Sequence, residues 1–363
     1  MGPSTLTIST PGRICLFGEH QDYLGLPVIA AAISRRISIH GTVRADNRMV
    51  VKLPDIGSEV SFSVGGPLVY AEERDYFRGC VNVLQKHGHH FSRGYDCIVR
   101  GNIPINAGTS SSSALVATWI HFLSHVSDYP VALSQEDIGK LAHEAEVLEF
   151  SEPGGMMDHY SSALGGLIFL ESHPQIRIAL LESRLGTFVL GNSKENKNTK
   201  GILGRVRSEV SEAAIAAKKI YPEFSFHRFK LDQLGDFKKV LEKRHYGLLE
   251  ATIVNRDLTL QARGLFQSKQ IDHQKLGLLL NEHQNRLRDV LGISTPKIDS
   301  MLEAALKAGA LGGKINGSGG GGCMFAYAPD NAERVAEAIN AIGEATILTI
   351  DTGTRREPRE NRT

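Results

Sequence analysis

Gly101-Asn-Ile-Pro-Ile-Asn-Ala-Gly-Thr-Ser-Ser-Ser-Ser-Ala114 leads without a break into an apolar run through Trp119 and Phe122. The pattern predicts a helix over 111–126 whose N-terminus is fed by a glycine-bearing loop. Such a loop presents free backbone N–H groups at the positive end of the helix dipole, and together these hold a phosphate chain. Serine hydroxyls add neutral donors and can ligate Mg²⁺. The plain alternative is a Ser-rich helix cap, although four consecutive serines exceed what capping needs. A Walker A loop is excluded, because no Gly-Lys-[Ser/Thr] follows at the required spacing.

A second glycine-rich stretch, Gly312-Gly-Lys-Ile-Asn-Gly-Ser-Gly-Gly-Gly-Gly322, holds seven glycines in eleven positions. It reads either as a linker or as backbone that approaches a ligand closely. A helix expected over 296–309 and an apolar strand at 323–328 flank it, which favours the second reading. Pro11-Gly-Arg-Ile-Cys-Leu-Phe-Gly-Glu-His-Gln-Asp-Tyr-Leu-Gly25 crowds Glu19, His20 and Asp22 into one turn. These groups suit a polyol, or equally a solvated loop. Glu146 lies on a helix starting at Ser134, and Asp158 follows a Pro-Gly-Gly turn. Two carboxylates placed so could serve Mg²⁺ and a substrate proton, though most acids in such settings are surface charges.

The rest of the chain supplies a frame of mixed type. Leu6 and Ile8 read as a short strand ending at Pro11, and residues 34–64 carry period-two segments. Tyr95–Arg100 and parts of 164–191 also read as strands. Helical patterning covers 202–220, 231–254, 257–291 and 296–309. A helix opened by Asp330, a strand over 346–350 and a polar, frayed tail complete the chain. Strands and helices without regular β-α-β alternation predict an α+β fold. The 363 residues are enough for about two domains. With 41 Lys+Arg against 40 Asp+Glu, the net charge of +1 offers no footprint for nucleic acid or an acidic membrane. Four scattered cysteines argue against a disulfide framework or a zinc–cysteine site. No signal peptide and no apolar run long enough to span a membrane are visible, so a cytoplasmic protein is expected.

In this order, the four segments resemble the GHMP small-molecule kinase superfamily, and Gly18-Glu19-His20-x-Asp22-Tyr23 is similar to the galactokinase signature. The resemblance implies an N-terminal domain like domain 2 of ribosomal protein S5 (residues 1–185) and a ferredoxin-like C-terminal domain (186–363). It implies ATP-dependent phosphorylation of a monosaccharide at the anomeric hydroxyl. ATP would be wrapped by Pro104, Asn106, Ala107, Gly108, Thr109 and Ser110, Ser111, Ser112 and Ser113. Mg²⁺ would be held by Ser112 and Glu146. Asp158 matches the catalytic aspartate and Arg13 the arginine beside it. Glu19, His20, Asp22, Tyr23, Gly155 and Gly319 would meet the sugar. A small sugar and ATP are the expected partners, with the chain a monomer or weak homodimer.

The stretch Asn192-Ser-Lys-Glu-Asn-Lys-Asn-Thr-Lys-Gly-Ile202 lacks the tyrosine usual in galactokinases and looks more like mevalonate or heptose kinases. Galactose itself is therefore not implied, and heptose-, fucose- or mevalonate-type acceptors stay open, as does a sugar sensor without turnover. Asp22-Tyr23 argues against mevalonate. The intact serine run, Glu146 and Asp158 argue against a sensor.

Overall fold

The computed structural model describes residues 4–182 and 184–358. Its first half is a sheet backed by helices. The strands are β1 (Thr5–Phe17), β2 (Val28–Val43), β3 (Arg48–Leu53) and β4 (Ser58–Ser63); helix α1 (Tyr76–Lys86) follows, and then β5 (Tyr95–Gly101). Helices α2 (Ser111–Val126), α3 (Gln135–His143) and α4 (Met157–Leu164) come next, and β6 (Leu167–Glu171) and β7 (Arg177–Leu180) close this half. β8 (Phe188–Asn192) opens a second, four-stranded sheet. Helices α5 (Thr199–Ile220), α6 (Lys243–Phe266), α7 (His273–Asp289) and α8 (Pro296–Lys307) come before its remaining strands. Those are β9 (Gly312–Ile315) and β10 (Cys323–Tyr327), then, after α9 (Ala332–Asn340), β11 (Glu344–Leu348). The chain ends its described course as β12 (Arg355–Arg356).

The first sheet runs β12-β1-β2-β5-β3-β4, with β6 also on β2 and β7 on β6; the second runs β11-β8-β10-β9. Antiparallel pairing dominates, with one parallel contact between β3 and β5. This is the α+β arrangement expected from the pattern.

Several boundaries differ from the sequence reading. β1 does not stop at Pro11. It continues to Phe17 through register shifts at Pro11/Arg13 and Cys15/Phe17, the first of them beside the proline that cannot donate to the ladder. The helical stretch over 231–291 breaks after Phe266, not near 255, and begins with two short 3₁₀ turns. The tail is not frayed at 355–356: Arg355 and Arg356 pair with Ser9 and Ile8. Asn331, not Asp330, precedes the last helix.

Among the described residues four apolar cores hold the layers together, the smallest built on Cys15, Val28, Met157, Tyr160 and Ile168. Trp119 and Phe122 of α2 stack at 5.3 Å over β1 and β2, with Phe77 of α1 edge-on to the indole. Val206, Leu249, Met301 and Val335 fill a core under the second sheet. The third core contains Ile14, Phe17 and Phe169 from the first sheet with Phe188 and Phe325 from the second, closed by Leu258 and Leu280. Because this core is common to both sheets, the loops at their junction have fixed relative positions.

Candidate active site

Those junction loops enclose an open cleft of ≈510 Å³ lined by Arg13, His20, Asp22, the serine run, Glu146, Gly155, Asp158 and Ser318. Ser110 precedes α2 in a left-handed conformation, φ 59°, and makes no side-chain cap to the helix. Its buried Oγ makes no close hydrogen bond and is near enough to Asp158 to help hold that carboxyl down. An uncapped helix start with a buried hydroxyl beside it is a ready anion seat, and the fit to a phosphate chain is good. The turn before it is held by Arg13, whose Nη1 donates to the Gly108 carbonyl at 2.5 Å. Asn316 Nδ2 donates to the same carbonyl at 2.8 Å, while Asn316 Oδ1 accepts from Cys15 N at 2.9 Å. Asn316 is fully buried and ties three of the sequence segments together.

Asp158 sits in the first turn of α4, a helix that the sequence pattern after the Pro-Gly-Gly turn does not predict. Arg13 Nε donates to its Oδ1 at 2.8 Å, and Nη2 reaches the same atom at 2.7 Å. Burial pushes the Asp158 carboxyl up, but the Arg13 charge beside it and His159 outweigh this and hold it below the usual value. Asp158 is therefore a carboxylate at neutral pH.

Asp22 is pushed the other way, to about 6, by burial and by the neighbouring Asp158 charge. Its Oδ1 accepts from Tyr23 N at 2.9 Å. Gly155 packs directly against this carboxylate, since a Cβ there would lie 2.0 Å from Asp22 Oδ2. Burial lowers His20 to about 4, so the ring is neutral. His20 Nε2 lies 3.0 Å from the Ser318 carbonyl, which can only accept, so Nε2 carries the proton. Nδ1 is then the acceptor for the Tyr23 hydroxyl at 3.1 Å.

α3 runs on into a π-helical turn, Glu144–Leu148, which carries Glu146 toward the cleft. Such turns interrupt an α-helix and concentrate at functional sites. Glu146 Oε2 and His159 Nε2 are 2.7 Å apart. Ser112 and Glu146 line the same cleft, an alcohol and a carboxylate that fit a hard cation such as Mg²⁺. No group of three or more His, Cys, Asp or Glu residues suited to a metal ion occurs among the described residues.

Some expected site residues lie elsewhere. Pro104 and Ala107 line a neighbouring cleft of ≈550 Å³ beside the loop before α2. Thr109 is fully buried, and its hydroxyl donates to the Pro104 carbonyl. Gly319 packs against Ile293 and is not among the cleft-lining residues. Glu19 lines the cleft, but its Oε2 pairs with fully buried Lys314 and its Oε1 accepts from Gly317 N at 3.1 Å. It braces the turn, with one contact on each carboxylate oxygen. The sequence reading missed Asn316, His159 and Lys197. Lys197 lies within the basic stretch after β8, yet spacing gave no sign that it reaches the cleft.

Comparison with known proteins agrees with this layout. Residues 75–166 match the GHMP kinases N terminal domain, 262–345 match GHMP kinases C terminal, and 2–42 match the galactokinase galactose-binding signature. Mevalonate kinase of Pyrococcus furiosus is 31% identical, with 94% of each chain covered. Galactokinase of Mannheimia succiniciproducens is 26% identical over 94% of this chain and 89% of its own length. Lactococcus lactis galactokinase, solved with galactose, superposes with a TM-score of 0.85 at 22% identity, covering 97% of this chain and 95% of that one. The two domain matches and the full-length likeness make this chain a member of the GHMP kinases, small-molecule kinases that use ATP as phosphate donor.

Proposed function

We propose that this kinase phosphorylates a monosaccharide, at the anomeric hydroxyl, with Mg²⁺ as the companion of ATP. The observation that carries the reading is the arrangement of Asp22 and His20. They face Asp158 and Arg13 in one cleft, so that groups suited to sugar hydroxyls adjoin a carboxylate suited to the hydroxyl proton. The galactose-binding signature over 2–42 supports it.

The chemistry follows from the residues. The acceptor oxygen forms a bond to the γ-phosphorus of ATP, the bond to the bridging oxygen breaks, and ADP leaves with the electron pair. Asp158 orients or accepts the hydroxyl proton, and Arg13 keeps that carboxylate ionised and neutralises charge that builds on the phosphoryl oxygens. Serines 110–113 and the first N–H groups of α2 seat the phosphates. Ser112 and Glu146 would hold Mg²⁺, which screens the β- and γ-oxygens when bound. The domain division belongs to the same proposal, near residue 185, between the last strand of the first sheet and the first of the second.

A second reading, an isoprenoid alcohol of the mevalonate type, is favoured by the 31% identical relative from Pyrococcus furiosus. An ATP-consumption screen over hexoses, heptoses, fucose, uronates and mevalonate decides between them. Turnover on a free sugar with phosphate at C1 is expected. Turnover on mevalonate alone refutes the sugar reading, and phosphate on another carbon refutes the anomeric assignment. Asp158→Asn should lower kcat by roughly 10²–10⁴-fold while nucleotide binding persists. Near-normal turnover of that variant would remove Asp158 from the mechanism.

A further inference from the structure

Lys194, Lys197 and Lys200 follow β8 at intervals of three residues. The outer two are ion-paired, Lys194 with Glu344 and Lys200 with Glu73 at 2.7 Å and Glu152 at 3.1 Å. Lys197 has no hydrogen-bond or ion-pair partner among the described residues. Glu195 is engaged elsewhere, since its Oε2 accepts from the Thr295 hydroxyl at 2.6 Å.

Lys197 is nonetheless partly buried and lines the cleft. A Cβ built on Gly108 would lie 2.6 Å from its Nζ, so the ammonium rests against the turn whose carbonyl Arg13 grips. Burial lowers its pKa to about 8, and Arg13 pushes in the same direction, against Cys323, Asp158 and Glu19. A partly desolvated cation placed beside a second cation is unfavourable unless an anion joins them. The phosphate loop under it names the anion.

On the kinase reading above, we propose that Lys197 is a further catalytic residue, which holds the phosphoryl group in transfer together with Arg13. It stays protonated throughout and donates to the non-bridging oxygens. As the acceptor–phosphorus bond forms and the bond to ADP breaks, the charge on those oxygens is shared between the two cations. The hydroxyl proton goes to Asp158, not to Lys197. An anionic group on the acceptor itself is the rival occupant, and the test separates the two.

The full chain is compared with Lys197→Met and Lys197→Arg, with affinities for Mg²⁺·AMP-PNP and Mg²⁺·ADP measured by calorimetry and kcat and KM measured on the acceptor found by the screen. Loss of one charge-assisted contact predicts a ~10–100-fold weaker AMP-PNP complex for Lys197→Met, with ADP affinity unchanged. It also predicts a kcat lower by ~10²–10³-fold at constant acceptor KM, with Lys197→Arg recovering most of both. Equal loss of both nucleotides overturns the proposal, and so does a rise in acceptor KM with kcat intact. If the wild type binds AMP-PNP but phosphorylates no tested acceptor, the sugar reading fails while the nucleotide ratio still decides Lys197. Should Lys197→Met not fold, Lys197→Gln carries the same comparison.

Discussion

Asp158 and Asp22 sit in one cleft and are driven in opposite directions, a difference that supports the separate work proposed for them. Arg13 donates two N–H groups to Asp158 and keeps it ionised through neutral pH, as a proton acceptor must be. Asp22 has only backbone donors, and both burial and the Asp158 charge oppose its ionisation, which raises it to about 6. Divergent values in neighbouring carboxyls separate acid–base roles from binding roles. On the proposed sugar-kinase function, Asp22 is then the group that an arriving sugar hydroxyl would relieve, by donating to the carboxylate. Its effect on stability has a definite sign. Its folded pKa lies above the ordinary 3.8, so its contribution to folding is most favourable below that value and is lost as pH rises through about 6. Asp22→Asn removes the penalty. Its Tm should rise relative to wild type at pH 8 and show little gain at pH 4, while acceptor KM increases. Melting curves across that range check it, and a Tm difference independent of pH would mean that Asp22 is unperturbed.

At the scale of elements, the site is a seam between two turns, one before α2 and one between β9 and β10. Gly108, at φ +88°, holds the seam closed. A Cβ there would lie 2.5 Å from the Asn316 carbonyl oxygen and 2.6 Å from Lys197 Nζ. Gly108→Ala combines a strained backbone with a clash against main chain, and should destabilise by about 1–3 kcal/mol and weaken ATP use more than acceptor binding. Separate KM values for the two substrates test this, and equal effects on both would dissociate the turn from ATP. The α2 start was legible in the sequence because serines, glycine and an apolar run are local signals that agree with one another. The π-helical turn at Glu146 was not, since a regular period would bury Leu148, whereas the extra residue turns Val147 inward and leaves Leu148 exposed. Asp158 was found as a residue but misplaced as to element: the eight-residue α4 follows Pro153-Gly154-Gly155, which masks a helix start. Lys197 escaped for another reason. Charge in a sequence does not say which cations find a carboxylate, and Lys194 and Lys200 look the same until Glu344, Glu73 and Glu152 are placed.

Over the whole molecule, long-range contacts decide what the sequence could only suggest. Glu19 and Lys314 are 295 residues apart, and their ion pair joins the end of β1 to β9 of the other sheet. Lys314 is fully buried, and its Nζ also donates to the Cys15 and Ile315 carbonyls at 2.8 and 2.9 Å. Every donor of that ammonium is thus satisfied, which is the condition under which a buried pair is tolerated. Read alone, Glu19 among polar neighbours looked like a ligand for sugar, and only its distant partner shows it bracing the turn that presents His20 and Asp22. The third core acts in the same direction, because Phe17 and Phe169 share one apolar cluster with Phe188 and Phe325. β12 also returns the chain end to β1, so the first sheet is closed by a strand that lies beyond the whole of the second in sequence. Two lobes so joined should unfold together, and calorimetry of the full chain should show one transition, not two. Lys314→Met leaves the Glu19 carboxylate buried opposite no cation, at a cost of roughly 3–5 kcal/mol, and lowers that single transition without dividing it. The double variant Glu19→Gln, Lys314→Met should recover part of the loss, because no uncompensated charge remains. A Lys314→Met protein as stable as wild type would show that the pair does not join the lobes, and a split transition would show that the third core does not either.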